Sequence, residues 1–350
     1  MKHFVVWVMI LVIIPIICYL FGWTPFWIAV GTEVVLFLSV SFFVLSLGLE
    51  TRSPHGVSKL IYFGVVRKLT DEEKQMIDWI DQEGIGMTMP SDDGLSLKAR
   101  FLKHPQSKGI VALFHGFGDY HYTSMFRQAI GLYERGYSVF LPQSRGFGKS
   151  SGHWCGMGVL EREDQLKWLN LLQKSYPDED LFLYGVSMGA ATAMNLCDAN
   201  LKNFRGIIED CGYVSLWQQE SHSIKYLLQL PPFPVLYMTN MLVRLICHYS
   251  LRDLDVRKKL SKSNAPILAI HGEKDNFVPY ANLALVKKYG KDKIWNTCAF
   301  PKAAHCACLE SDPERYWALV SNFLENHRTK KAEESEPFSG QKCEGKGPED

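Results

Sequence analysis

Gly185-Val186-Ser187-Met188-Gly189 stands directly behind the apolar run Leu181-Phe182-Leu183-Tyr184 and directly ahead of the helix-forming Ala190-Ala191-Thr192-Ala193-Met194. That order predicts a strand, one sharp turn and a helix. A β-carbon at either glycine would collide with the neighbouring strand or helix, which is why small residues flank the serine in such a turn. The turn also suits a chemistry. A serine hydroxyl is a poor nucleophile, and an enzyme that uses one holds it clear of the backbone, next to a base, with amide donors facing the developing oxyanion. Ser187 is the candidate nucleophile; the plain alternative is a small residue at a tight helix start.

A nucleophile on such a turn predicts an acid and then a histidine, each in a loop after a later strand. Ala265-Pro266-Ile267-Leu268-Ala269-Ile270 reads as a strand and opens into His271-Gly272-Glu273-Lys274-Asp275, so Asp275 is the candidate orienting carboxylate. Ile294 to Phe300 reads as another strand, and Pro301-Lys302-Ala303-Ala304-His305-Cys306 follows it. His305 is the candidate general base: it takes the Ser187 proton and returns it to the leaving group, while Asp275 fixes the imidazole tautomer. Asp210 also ends a predicted strand and stands as the rival acid.

The oxyanion needs two amides. One is expected from Met188, immediately after the nucleophile, and the other from the loop that follows Gly109-Ile110-Val111-Ala112-Leu113-Phe114. In that loop, His115-Gly116-Phe117-Gly118, the glycines let the chain fold back so that the Phe117 amide can face the same oxygen.

With these residues the chain resembles the α/β-hydrolase fold serine hydrolases over roughly residues 85 to 327. Within them, His115 to Gly118, Arg145-Gly146-Phe147-Gly148-Lys149-Ser150 and the Gly185 to Gly189 turn are similar to the monoglyceride-lipase, lysophospholipase and serine-aminopeptidase (S33) branch. Ile207-Ile208-Glu209-Asp210-Cys211 resembles bacterial membrane-anchored members of that branch. The resemblance implies ester or amide hydrolysis through an acyl-enzyme, with no metal and no organic cofactor. It does not identify the acyl group, because one fold hosts many substrates.

Two other motifs have simpler readings. Gly148-Lys149-Ser150 resembles the end of a phosphate-binding loop, but Gln143 stands where that motif needs glycine. His305-Cys306-Ala307-Cys308 lacks a second ligand pair at zinc-site spacing. His115 and His271 both lie at strand ends and read as histidines bonded to loop backbone, His115 supporting the oxyanion loop.

The N-terminus sets the location. No Asp, Glu, Lys or Arg occurs from Phe4 to Thr32, and apolar character resumes after Glu33 from Val34 to Leu49. At about 1.5 Å per residue this is too long for one span of a roughly 30 Å hydrocarbon core. Gly22-Trp23-Thr24-Pro25 divides it, so the expectation is a helical hairpin, residues 4–21 and 27–48, with Trp23 and Trp27 at the interfacial turn. Glu33 is costly in lipid and is expected against the first helix or near the interface. A signal peptide would need a shorter apolar core and a small-residue cleavage site. Lys2 before the hairpin and Arg52, Lys59, Arg67 and Lys68 after it place the catalytic part in the cytoplasm; a single span would reverse that. Nine scattered cysteines read as buried and reduced. A formal net charge of +1 gives no reason to expect a nucleic-acid partner.

Residues 50–84 read as a charged connector with a short amphipathic helix at 71–83. Residues 85–327 read as the hydrolase domain, opening with a hairpin about Ser91-Asp92-Asp93-Gly94, and residues 328–350 as a disordered polar tail. Strand-like runs at 109–114, 137–142, 181–186, 204–210, 265–270 and 294–300 alternate with helical segments, the pattern of a mostly parallel sheet covered on both faces. Residues 212–264 are too long for one crossover and are read as a helical lid. Leu216, Trp217, Tyr226, Leu227, Phe233, Tyr237 and Met241 favour hydrophobic acyl groups there. The expected protein is thus a membrane-anchored serine esterase acting on lipid-like esters. A peptidase or amidase of the same fold, which would want acidic lid groups such as Glu220 and Asp253, is the runner-up, and a non-catalytic membrane binding module is third.

Overall fold

The structure is a computed structural model and describes residues 12, 14–21, 23–51, 69–118 and 124–329. Its centre is an eight-stranded sheet in the order β1-β2-β4-β3-β5-β6-β7-β8. The strands are β1 Ile85–Pro90, β2 Ser96–Leu102, β3 Ile110–Phe114, β4 Ser138–Gln143, β5 Leu181–Val186, β6 Phe204–Asp210, β7 Ile267–Gly272 and β8 Ile294–Phe300. β1 pairs antiparallel with β2 and β2 with β4, and every later pairing is parallel.

The unbroken apolar runs follow from burial on both faces. In β5, Leu181 and Leu183 enter one core cluster while Phe182 and Tyr184 enter the other. β3 divides likewise, Ala112 and Phe114 to one side, Val111 and Leu113 to the opposite one. The first strand of the sequence-read pair after the lid starts later than its apolar run, at Ile267, because Pro266 has no N–H for the ladder.

The helices, in chain order, are α1 Ile14–Leu20, α2 Trp23–Leu49, α3 Asp71–Glu83, α4 Phe126–Glu134, α5 Leu160–Ser175, α6 Met188–Asn195, α7 Leu216–Leu227, α8 Val235–Ile246, α9 Arg257–Leu260, α10 Ala281–Gly290, α11 Cys308–Ser311 and α12 Pro313–His327. The connector helix α3 begins with a capping box: Thr70 Oγ1 accepts from Glu73 N, and the Glu73 carboxylate accepts from Thr70 N. Arg127 on α4 pairs with Glu73 and with Glu310, fixing α3 to the hydrolase core. Between β6 and β7 the expected lid segment forms α7, α8 and the short α9, with Ser215 capping α7 through Gln218 N.

At the N-terminus, α1 ends at Leu20 and α2 begins at Trp23, and Pro25 sits in the first turn of α2, where a missing N–H costs nothing. Within α2, Phe26–Leu49 is long and apolar enough to cross a membrane, with a mean hydropathy of 2.3 and only 17% of that window buried. It is the one such helix among the described residues. Residues 4–11 and 13 of the first arm of the expected hairpin lie outside the described residues; its described part includes α1, which packs on α2. Residues 52–68 of the connector and 330–350 of the tail also lie outside them.

Candidate active site

Ser187 is held at φ 55°, ψ −117°, between the end of β5 and the start of α6. This is a left-handed conformation that a side-chain-bearing residue adopts only under constraint. The two glycines are required by contact. A β-carbon on Gly185 would stand 2.1 Å from the Gly189 carbonyl oxygen, and one on Gly189 would stand 2.0 Å from that of Phe114. Strand, turn and helix can therefore approach only with both positions bare.

Three loops at the carboxyl ends of the strands meet there. Ser187 Oγ lies 2.9 Å from His305 Nε2, and His305 Nδ1 lies 2.6 Å from Asp275 Oδ2. The acid loop after β7 and the histidine loop after β8 are tied together: Glu273 N donates to Phe300 O and Lys274 N to Ala303 O. Gly272 makes room for this, since a β-carbon on it would meet Ala303 O at 2.4 Å. Asp275 Oδ1 accepts from the amides of Phe277 and Val278, which aims Oδ2 at the imidazole. Phe277 packs its ring against His305, centroids 5.1 Å apart.

Charge follows this geometry. Burial would raise the Asp275 pKa, but hydrogen bonds from His271 and His305 overcome it and hold the carboxyl down at about 2. Burial would lower that of His305, whereas the Cys211 sulfur and the Asp275 carboxylate raise it above the ordinary imidazole value. Because burial keeps the Cys211 thiol protonated, the carboxylate is the cause that acts at neutral pH. His271 was read as a loop histidine; it bonds Val278 O at 3.0 Å and also stands 3.4 Å from Asp275 Oδ2, a second cation-forming group on the acid that its strand-end position did not reveal.

Asp210 does not reach the relay. Its Oδ2 accepts from Tyr316 OH at 2.6 Å, and Tyr316 in turn bonds Tyr184, so this carboxyl belongs to a buried network beneath the site. Phe117 and Met188 line the same cavity as Ser187. The Phe117 loop runs beside Ser187: a β-carbon added to Gly116 would fall 3.5 Å from Ser187 Cβ. His115 braces that loop: Ser144 N donates to Nε2 at 2.9 Å, which leaves Nδ1 to donate to Gly116 O at 2.7 Å. The Arg145-Gly146-Phe147-Gly148 loop is held by an ion network that sequence reading missed. Arg145 is buried between Asp164, at 2.8 Å, and Asp93, at 2.8 Å.

Cys211 Sγ, a His305 ring nitrogen and Cys306 Sγ lie within 4.8 Å of one another. Both ring nitrogens of His305 are already engaged, by Ser187 and by Asp275, so a metal on these three ligands would dismantle the relay rather than serve it.

The arrangement is a serine, an imidazole and a carboxylate in hydrogen-bonded sequence, and comparison with known proteins gives the setting of the chain that carries it. The sequence model of the family described as serine aminopeptidase, S33, matches residues 105–260. An uncharacterised Bacillus subtilis protein is 22% identical over 75% of this chain and 86% of its own length. An uncharacterised membrane protein of Saccharomyces cerevisiae is 26% identical over 71% of this chain and 83% of its own. Among solved structures, an esterase from Pyrococcus furiosus superposes with a TM-score of 0.58 at 22% identity, covering 76% of this chain and 97% of its own. An acylaminoacyl peptidase from Pyrococcus horikoshii gives 0.56 at 18% identity, covering 78% of this chain and 46% of its own.

Proposed function

We propose that this chain, which has the α/β-hydrolase fold and is similar to the serine aminopeptidase S33 family across its middle, is a membrane-associated serine esterase acting on hydrophobic, lipid-like acyl substrates. Ser187 attacks the acyl carbon, His305 carries the proton, Asp275 holds the imidazole, and the amides of Phe117 and Met188 receive the oxyanion. The carrying observation is the Ser187–His305–Asp275 relay opening into a cavity walled by Phe117, Tyr213, Ile224, Leu227 and Phe277. In the first half of the reaction the serine Oγ–acyl bond forms as the ester C–O bond breaks, and His305 protonates the departing alkoxide. In the second, water deprotonated by His305 releases the acid and restores Ser187.

Membrane association is supported by Phe26–Leu49 and by the lid. Phe233, Tyr237, Met241 and Leu245 recur every four residues and are all exposed, and α8, which carries the last three, packs on α2. With the two-helix hairpin, the basic residues Arg52, Lys59, Arg67 and Lys68 support a cytoplasmic catalytic domain. In detergent or bilayer, the protein is expected to react with a fluorophosphonate probe and to hydrolyse p-nitrophenyl esters, with kcat/KM rising from acetate toward medium or long acyl chains. A folded sample that neither labels nor turns over any ester refutes the reading.

Amide or peptide hydrolysis has one observation in its favour. Glu220 lines the cavity, and burial pushes its carboxyl up to about 7, so near neutrality it can offer a negative charge to a substrate amine. Aminoacyl p-nitroanilides tested beside the esters separate the two readings.

The raised His305 pKa sets a pH dependence. An imidazolium cannot accept the serine proton, so a raised value delays the active form to higher pH. Ester kcat/KM is expected to climb with pH through a midpoint above 6.5, the ordinary imidazole value. A pH–rate profile with its acid limb below that value would contradict the ion pair with Asp275.

A further inference from the structure

Helix α2 is two different things along its length. Its early residues Trp27, Ile28, Val34 and Val35 are exposed, while Val44, Leu45, Leu47 and Leu49 are buried against the hydrolase domain, Leu45 completely. The buried end is fastened on two sides. Toward the lid, Ser41 Oγ donates to Val235 O and Thr239 Oγ1 donates to Ser41 O, joining it to α8. Toward the sheet, Cys155 N donates to Leu49 O, and Thr51 donates through both its amide and its hydroxyl to His153 O. A helix whose task ended at the membrane would need none of these attachments.

The fastened end reaches the site. Val44, Leu47 and Gly48 line the same cavity as Ser187, together with residues drawn from the lid helix α7 and the acid loop. Gly48 is the informative position. Glycine weakens a helix interior and is kept where close packing or an unusual backbone demands it. Neither demand exists here: a β-carbon on Gly48 would meet no atom within 4 Å, and its φ is ordinary for a helix. What the missing side chain leaves is room in the cavity.

We propose that the end of α2 is one wall of the acyl-binding site, with Val44, Leu47 and Gly48 setting the length of acyl chain accepted. The acyl group would lie along the same helix that carries the exposed apolar segment, so the ligand is a fatty acyl chain rather than a compact or polar acyl group. This rests on the ester-hydrolase reading and gives it a specificity element that belongs to no part of the matched region 105–260.

The test uses the full chain in detergent or nanodiscs and p-nitrophenyl esters from acetate to palmitate. Wild-type turnover of a short ester checks the ester reading by itself and comes first. Gly48→Leu then fills the open space. The ratio of long-chain to short-chain kcat/KM is expected to fall about tenfold or more, the effect of denying burial to two or more methylenes. Leu47→Ala enlarges the same wall and is expected to move the preferred chain length upward. If Gly48→Leu lowers all chain lengths alike, the Leu47→Ala profile decides; a preferred length that neither substitution moves overturns the proposal while leaving the esterase intact.

Discussion

Replacing Ser187 with alanine is expected to remove ester turnover by about 10⁴-fold or more and to abolish fluorophosphonate labelling, with thermal unfolding little changed. The magnitude follows from the relay. Without Oγ no acyl-enzyme can form, and what remains is the contribution of the amides and the cavity to direct attack by water. Folding should survive because the constraints on this turn lie in its neighbours. The crowded contacts are those of Gly185 and Gly189, the Ser187 amide bonds Asp210 O at 2.9 Å, and the Ser187 carbonyl accepts from Ala191 N at 3.0 Å, all of which alanine retains. Alanine must still occupy φ 55°, a cost serine already bears. Steady-state ester hydrolysis with gel-based labelling checks this, and full labelling of Ser187→Ala would take the nucleophile's role from this residue.

The fold was legible because the central parallel strands β3 and β5 are apolar on both faces and announce themselves as continuous runs. Leu181 to Tyr184 and Ile110 to Phe114 are examples: both faces are covered, so no polar residue interrupts them. The relay residues were legible for a related reason, since each stands just beyond such a run, in a loop at the same edge of the sheet. Other features depend on contacts that no local pattern encodes. Val34 and Val35 are exposed while Val44 and Leu45 on the same helix are buried, and valine and leucine look alike in sequence whether they meet lipid or protein. The bracing of the Arg145 loop by Asp93 and Asp164 spans residues far apart in the chain, and charge alone would have placed Arg145 and Asp164 on the surface, where Asp93 does lie. The position of His271 against Asp275 is likewise settled only by how the acid loop curls back under β7.

Asp275 and Asp210 are the candidate and the rival acid of the sequence, one in the loop beyond a strand and the other at a strand's last residue, and their substitutions are expected to differ sharply. Asp275→Asn should lower ester kcat/KM by about 10³ to 10⁴-fold. The amide can no longer hold Nδ1–H toward itself and lacks the charge that stabilises the imidazolium formed as Ser187 attacks. Removing that charge also removes the cause that raises the His305 pKa at neutral pH, so the acid limb of the residual activity should move to lower pH. Asp210→Asn should leave kcat/KM within a few-fold, because an amide oxygen can still accept from Tyr316 OH and because Asp210 makes no hydrogen bond with His305. Measured together, pH–rate profiles of the two variants assign the acid: a larger loss and a shifted limb in Asp210→Asn would transfer the role to that residue and require His305 to turn toward the Tyr316 network during catalysis.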